Sequence, residues 1–336
     1  ARFLEVARQR FETAGWVVQS TRVATQPQSD LYREHPSEAS LNILEALDQA
    51  AEDTGHLVSL GPLIEDDKAA PGFPDWAAEL VARTRHLYFS VVVAAPPNEL
   101  HTESIHTAAQ TILAISQVGG DGEANFRFGA AARIPASTPF FPVAYHWGPP
   151  GFTIGLESAG LVGTAFEGAT DPGTAATDLQ PLLEETLGPI QEIAQQIAAA
   201  TSWPFGGIDL SPAPSLDASI AGPIEELTGQ PFGSPSTLVA CAAITRALDA
   251  AQLAKCGYSG LMLPVLEDRI LASRAGEGRF GIRDLLLYSS VCGTGLDVIP
   301  LPGNTEMGAL SRLILDVAAL ASRLEQPLAA RLLPVP

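Results

Sequence analysis

Lysine is nearly absent from this chain of 336 residues: among 19 basic residues only Lys68 and Lys255 are lysines. Neither sits in a glycine-rich phosphate loop or a Schiff-base setting, so P-loop nucleotide chemistry and pyridoxal phosphate have no carrier. Cysteine is scarce too. Cys241, Cys256 and Cys292 cannot all pair and none belongs to a CxxC, which is the usage of a reducing compartment. Positive charge is in deficit, with 38 acidic residues and a net charge of −19. Nucleic acid and anionic membranes, which need clustered Lys and Arg, are therefore not expected partners. No uninterrupted apolar run approaches the roughly 20 residues that span a bilayer. The opening "ARFLEVARQRF" sets Phe3, Leu4, Ala7 and Phe11 near one helical face, as an amphipathic helix does and a secretory signal does not. A cytoplasmic protein is expected.

Several signatures are missing. "GEGRFG" (276–281) matches GxGxxG but lies between helical runs, so NAD is not expected. "GYSG" (257–260) continues into Leu261 where a nucleophile elbow needs glycine. There is no HExxH, and His101 and His106, five apart, fall on different faces of a helix.

What is present is apolar surface in alternating periods. Hydrophobic residues make up 46% of the chain and charged ones 17%, enough for a core. Strand-like runs ("WVVQSTRVAT", "HLVSLG", "HLYFSVVVAA", "NFRFGAAARI", "GFTIGLES", "GGIDL", "GLMLPVL", "LDVIPL", "RLLPV") are separated mostly by helical segments at 41–54, 100–116, 177–200, 237–254 and 305–324. This predicts an α/β fold, a barrel or a large mixed sheet, in a single domain over 1–336. Residues 135–151 read as a long loop, and 168–176 as a hinge.

Three stretches carry polar groups where apolar ones are expected. In "WPFGGIDLSPAPSLD" (203–217), Asp209 lies inside an apolar run with Ser211 beside it; a carboxylate there must be solvated, hydrogen-bonded or paired. In "LPVLED" (263–268), Glu267 and Asp268 end a predicted strand, as an acid–base pair or as caps of the next helix. In "VCGTGLDVIPLPGNT" (291–305), Cys292 is placed at a strand edge, Asp297 repeats the Asp209 pattern, and Gly303, Asn304 and Thr305 offer amides at a helix start. Cys292 is either a nucleophile or a small buried hydrophobe, and the expectation is that it tunes or packs the site at its rim. Asn304 is predicted to cap the last helix, and Asp209 and Asp297 to face one cavity. His146, in "AYHWGPP", is the general acid–base candidate among the histidines, against a structural loop role.

Together these stretches resemble an uncharacterised bacterial and archaeal family, domain-of-unknown-function family 711. Phe205 through Pro214 is similar to its Phe-Gly-x-x-Asp-Leu-Ser-x-Ala-Pro pattern. "PVLED" resembles Pro-Val-Ser-Glu-Asp with Leu266 for serine, and Cys292 through Thr305 resembles Cys-x-x-Gly-Leu-Asp-x-Ile-x-x-Pro-Gly-Asp-Thr with Asn304 for aspartate. "RLLPVP" matches the family's closing run, and weaker similarity reaches back through "YHWG" to "ALDQAAEDTG". "GSPSTL" (233–238) stands where the family has a Gly-Thr-His-Gly-like segment, and family members generally carry more sequence ahead of this N-terminus. The resemblance implies a barrel-like α/β architecture similar to pyruvate formate-lyase and other glycyl radical enzymes. Radical chemistry is not expected with it: "KCGYSG" keeps only the Gly-Tyr pair of the radical signature, and no Cys-Cys pair is present.

The resulting expectation is an enzyme that acts on a small polar metabolite by acid–base chemistry. Asp209, Asp268, Asp297 and His146 would be catalytic; Ser211, Glu267, Cys292, Gly303, Asn304 and Thr305 would hold the substrate. Hydrolase, lyase and isomerase stay open. A metal, if one takes part, would be Mg, Mn or Ca, given the oxygen ligands. The alternatives are a non-catalytic metabolite-binding or regulatory protein, and a structural homo-oligomer. Convergence of the aspartates and His146 would favour the enzyme; aspartates each satisfied by backbone amides would favour the others.

Overall fold

The computed structural model describes residues 2–29, 37–97 and 99–336. Its centre is a mixed sheet built by strand–helix alternation. After α1 (Arg2–Thr13), whose predicted first residue Ala1 lies outside the described residues, come β1 (Arg22–Ala24), α2 (Glu38–Thr54), β2 (Leu57–Ile64), α3 (Phe73–Arg83) and β3 (Leu87–Ala95). A short β4 (Glu99–Leu100), α4 (Thr102–Ser116) and one 3₁₀ segment lead to β5 (Phe128–Ala132). β1, β2, β3 and β5 are parallel neighbours, which is possible because each helix carries the chain back across the sheet. β3 is rich in Val, Phe and Tyr, as a strand covered on both sides requires. Helix α2 is fixed locally by a Ser37–Ser40 capping box and ends on Gly55 at φ 66°, which glycine adopts without steric cost.

The second half of the chain adds β6 (Phe152–Ile154), α5 (Ala159–Phe166), α6 (Pro172–Thr201), β7 (Phe205–Ile208), α7 (Ala221–Thr228), α8 (Thr237–Ala250), α9 (Arg269–Gly276), α10 (Ile282–Cys292), β8 (Gly295–Pro302), α11 (Met307–Leu324) and β9 (Leu328–Val335). β9 returns antiparallel to β5 and parallel to β8, giving the order β1-β2-β3-β5-β9-β8, with β4 on β3 and a separate β6–β7 pair. Among the described residues the sheet stays open, with β1 and β8 as its two ends, so the closed barrel among the expected architectures does not form.

The two faces of the sheet differ. Phe89, Val91, Phe128, Ala130, Leu328 and Leu332 join the main core with Ile112 of α4 and Ile314 of α11. On the other face Ala131 and Ala329 form a small cluster with Ile134 and Val143, against which Tyr145 and Tyr258 pack. The chain from 141 to 146 lies directly on that face. A Cβ on Gly129 would come within 3.0 Å of Pro142 and 3.1 Å of Val143. The buried Ser59 hydroxyl donates to the Ala144 carbonyl at 2.6 Å.

Three predicted elements differ. The run 263–268 is a turn and not a strand: Pro264 has no N–H, and only Val265 and Leu266 reach β8, donating to the carbonyls of Asp297 and Val298. Residues 291–292 belong to the end of α10. The last helix starts at Met307, behind Glu306, so Asn304 does not cap it.

Candidate functional site

The register of β8 against β9 sets the site. Leu296 pairs with Ala330 and Ile299 with Leu332, so Asp297 and Val298 together face Arg331. This is a β-bulge, a device that re-aims a side chain. Val298 takes φ 50°, a left-handed conformation that costs a β-branched residue about 1–3 kcal/mol. Gly295 precedes it at φ 94°, where a Cβ would meet the Ala329 carbonyl oxygen at 2.3 Å. The outcome is a direct ion pair. Arg331 Nη1 donates to Asp297 Oδ1 at 2.8 Å, with the two side chains 13% and 9% exposed.

Glu267 approaches the same guanidinium from the turn beside β8, with 3.4 Å between Arg331 Nη2 and Glu267 Oε1. Its side chain is 43% exposed, so it stands where the cluster meets solvent. The Phe126 ring lies 5.8 Å from Arg331 Cζ, and Arg331 Nε is buried without a hydrogen-bond partner. Burial disfavours the Arg331 charge, but Asp297 and Glu267 outweigh it and hold the guanidinium protonated. Burial pushes the Glu267 carboxyl above its ordinary range, with Asp297 adding to the effect and Arg331 and Arg22 opposing it. Tyr258 completes the group. Burial first, then the charges of Asp297 and Asp209, keep its phenol protonated well beyond the usual range.

Asp209 acts one step back. It is fully buried just after β7. Its Oδ1 accepts from Ser211 N at 3.0 Å, Ser211 Oγ at 2.7 Å and Ser259 N at 2.9 Å, and its Oδ2 accepts from Tyr258 N at 2.8 Å. Burial pushes this carboxyl up while those donors pull it down. A Cβ on Gly257, which sits at φ 62°, would lie 2.1 Å from Asp209 Oδ2. Ser211 Oγ accepts in turn from Gly260 N at 3.1 Å. Asp209 and Ser211 therefore shape the turn that presents Tyr258, and the charges of both aspartates act on that tyrosine.

The remaining predicted residues lie elsewhere. Asp268 is buried at the start of α9, accepting from Ile270 N and Leu271 N at 2.9 and 3.0 Å, and also from Ser219 Oγ and Ile220 N ahead of α7. It joins two helix starts. Cys292 is fully buried at the last position of α10 and not at a rim, and burial pushes its thiol up. Gly303, Asn304 and Thr305 follow the carboxyl end of β8, where Thr305 N donates to the Pro302 carbonyl at 2.9 Å. Gly303 and Asn304 border an open cleft with Pro300, Leu301 and Val335. Six residue steps along the strand, about 20 Å, separate Gly303 from Asp297, so the two do not share one site. The His146 N–H donates to the Thr25 carbonyl at 3.1 Å. Among the described residues no hydrogen bond or ion pair joins its ring to Asp297, Arg331, Glu267 or Tyr258.

Sequence reasoning passes over Arg331 and Tyr258. Arg331 is the one charged residue of "LAARLLPV", and the rule that a charge in an apolar strand needs a partner applies to it as it does to Asp297. Among the described residues no group of three or more His, Cys, Asp or Glu is placed to hold a metal ion. Among them, too, no helix is long and apolar enough to cross a membrane.

The chain is similar to proteins of one family. A UPF0210 protein of Pyrobaculum aerophilum is 30% identical over 270 residues, covering 77% of this chain and 59% of its own length. UPF0210 proteins of Oenococcus oeni and Methanopyrus kandleri are 27% and 28% identical over 100% and 99% of this chain, each covered over 78% of its length. The chain thus spans 59% of the Pyrobaculum relative and about three quarters of the other two. The profile of the family described as "Uncharacterised ACR (DUF711)" matches residues 1–336, and the chain belongs to that family.

Proposed function

We propose that the chain is an enzyme that acts on a small polar metabolite by moving a proton at Glu267, in the cytoplasm and without a radical step. One observation carries this reading: Glu267 stands half-exposed beside a guanidinium that Asp297 already holds at 2.8 Å. One carboxylate fixes the cation, and the other is left to exchange a proton with whatever binds at the opening. Partial burial raises the Glu267 carboxyl above its ordinary value, the direction a general acid needs. Tyr258, kept neutral, supplies a hydrogen-bond donor at physiological pH. Hydrolysis, elimination and isomerisation can each use such a group. The likeness to glycyl radical enzymes belongs to this reading as architecture only, an open sheet related to their barrel.

The second reading, a metabolite-binding protein without catalysis, is favoured by Asp209 and Asp268. Both are taken up by amide and hydroxyl donors, so neither is free for chemistry. Glu267→Gln separates the readings. The protein is screened for turnover of small metabolites, and native mass spectrometry records what it retains on purification. The enzyme reading expects the variant to keep the ligand and lose turnover; a variant that turns over substrate at the native rate refutes the role of Glu267.

A further inference from the structure

Arg133 follows the last residue of β5, and its backbone N–H donates to the Ala94 carbonyl of β3 at 2.9 Å. It therefore stands at the carboxyl ends of two adjacent parallel strands, the edge at which open α/β sheets hold their ligands. A left-handed φ of 57° turns it off the ladder, a conformation that costs a residue with a Cβ. Its surroundings are apolar. Ala94, Ala132 and Leu328, which the strand registers set beside this turn, are fully buried, and Ile134 leads on into the cluster with Val143. In this setting Arg133 Nε and Nη1 are out of water and have no hydrogen-bond partner. Among the described residues no carboxylate pairs with its guanidinium, whereas Arg331 has two. Glu99 of β4 pairs with Ala95 on the other flank of β3, about 10 Å or two strand spacings away, and makes no ion pair with it. The cluster around Arg331 is also separate. Ala132 lies opposite Leu328, so Arg133 falls across from Pro327, four residue steps or about 13 Å along β9 from Arg331.

Arginine keeps its charge in folded proteins, and a charge held out of water without a counter-charge is strongly disfavoured. The chain carries 38 acidic residues, yet among the described ones none is placed to neutralise Arg133. We propose that Arg133 is the recognition group of a separate ligand site, at the carboxyl ends of β3 and β5, for a small oxyanion. The ligand supplies the acceptors that the fold withholds. A guanidinium presents its donors as a planar fork, and carboxylate and phosphate both match it with two oxygens. A spherical chloride does not. The residue is only partly buried, so the anion reaches it from the strand ends without the sheet opening. This site does not rest on the proton-transfer reading of Glu267.

The test is isothermal titration of the chain with sodium acetate and, separately, with inorganic phosphate, at an ionic strength held constant by sodium chloride. Saturable binding of at least one is expected; acetate alone marks a carboxylate site, and phosphate alone a phosphate site. Arg133→Lys keeps the charge without the fork and should weaken that anion about tenfold. Arg133→Met keeps the apolar stem and should show no saturable binding. In chloride buffer its urea midpoint should be no lower than that of the native chain, because an unpaired charge has been removed. The proposal falls if neither anion saturates the native chain, or if either variant binds as the native chain does. It falls equally if Arg133→Met is clearly the less stable protein in chloride, since the guanidinium would then already have its partner in the fold. Glu267→Gln should bind the anion unchanged. A tenfold change there would move the site to the Asp297–Arg331 cluster and overturn this placement, whatever the same variant does to turnover.

Discussion

Asp297 and Arg331 meet across a β-bulge, Oδ1 to Nη1 at 2.8 Å, with both side chains almost out of water. Removing one partner leaves the other charge buried alone, so Asp297→Ala should lower unfolding free energy by roughly 3–5 kcal/mol. Arg331→Met in the same chain should recover part of that loss, because the orphaned charge goes with it. Urea midpoints across the double-mutant cycle measure the coupling. A single-variant cost below about 1 kcal/mol would place the pair with solvent-screened ion pairs.

Asp209 and Gly257 are a matched pair: the aspartate oxygen fills the space a Cβ would need. Asp209→Ala strands the amides of Tyr258 and Ser259, at about 1–3 kcal/mol for each buried donor left unpaired. Gly257→Ala introduces both the clash and a left-handed alanine. In the double variant the clash disappears, so its cost should fall short of the sum of the single costs. Simple additivity in thermal or urea unfolding would mean that the two do not touch.

Much of the α/β alternation was legible because strand and helix periods are written in the apolar residues, as in β3 and α11. The role of Asp297 was half-legible: its need for a partner follows from its neighbours, but the partner lies 34 residues away on the next strand of the sheet. "LPVLED" misled because an apolar run beside proline has the composition of a strand whether or not its amides find a ladder. Cys292 misled in the same way, since the glycines after it suggest an exposed loop, whereas Gly293 at φ 94° only ends a helix whose last residue is turned into the core. Composition shows that a chain turns; it does not show which side of the turn faces water.

The cysteines should be silent in the native protein. Burial, with Asp209 adding its charge, pushes the Cys256 thiol up to about 12. Burial likewise raises Cys241 and Cys292, which lie in the core. A raised thiol pKa means that the reactive thiolate appears only as pH climbs towards that value, so at about pH 8 it is a minute fraction. Labelling by iodoacetamide should be orders of magnitude slower in the folded chain than in urea. Rapid native labelling of Cys292, located by peptide mass spectrometry, would contradict its place in the core.

Val298 offers a test of the bulge itself. Elsewhere in a strand, glycine is worse than alanine by roughly 0.5–1 kcal/mol, because it loses more chain entropy on folding. Ile299, the next residue and outside the left-handed region, should follow that order, with Ile299→Gly below Ile299→Ala in stability. At Val298 the balance changes. Both truncations lose a buried side chain, a loss of about 1.5–3 kcal/mol before any cavity term. Only glycine also relieves the strain of φ 50°, which is worth about 1–2 kcal/mol for a residue with a Cβ. Val298→Gly should therefore be no less stable than Val298→Ala, the reverse of the order at Ile299. If glycine proves the worse replacement at both positions, the strained bulge is absent. If the order reverses as expected, the strain is real, and relaxing it should loosen the aim of Asp297 at Arg331. The Asp297–Arg331 coupling energy from a double-mutant cycle should then be smaller in the Val298→Gly background than in the Val298→Ala background, although the glycine variant is no less stable.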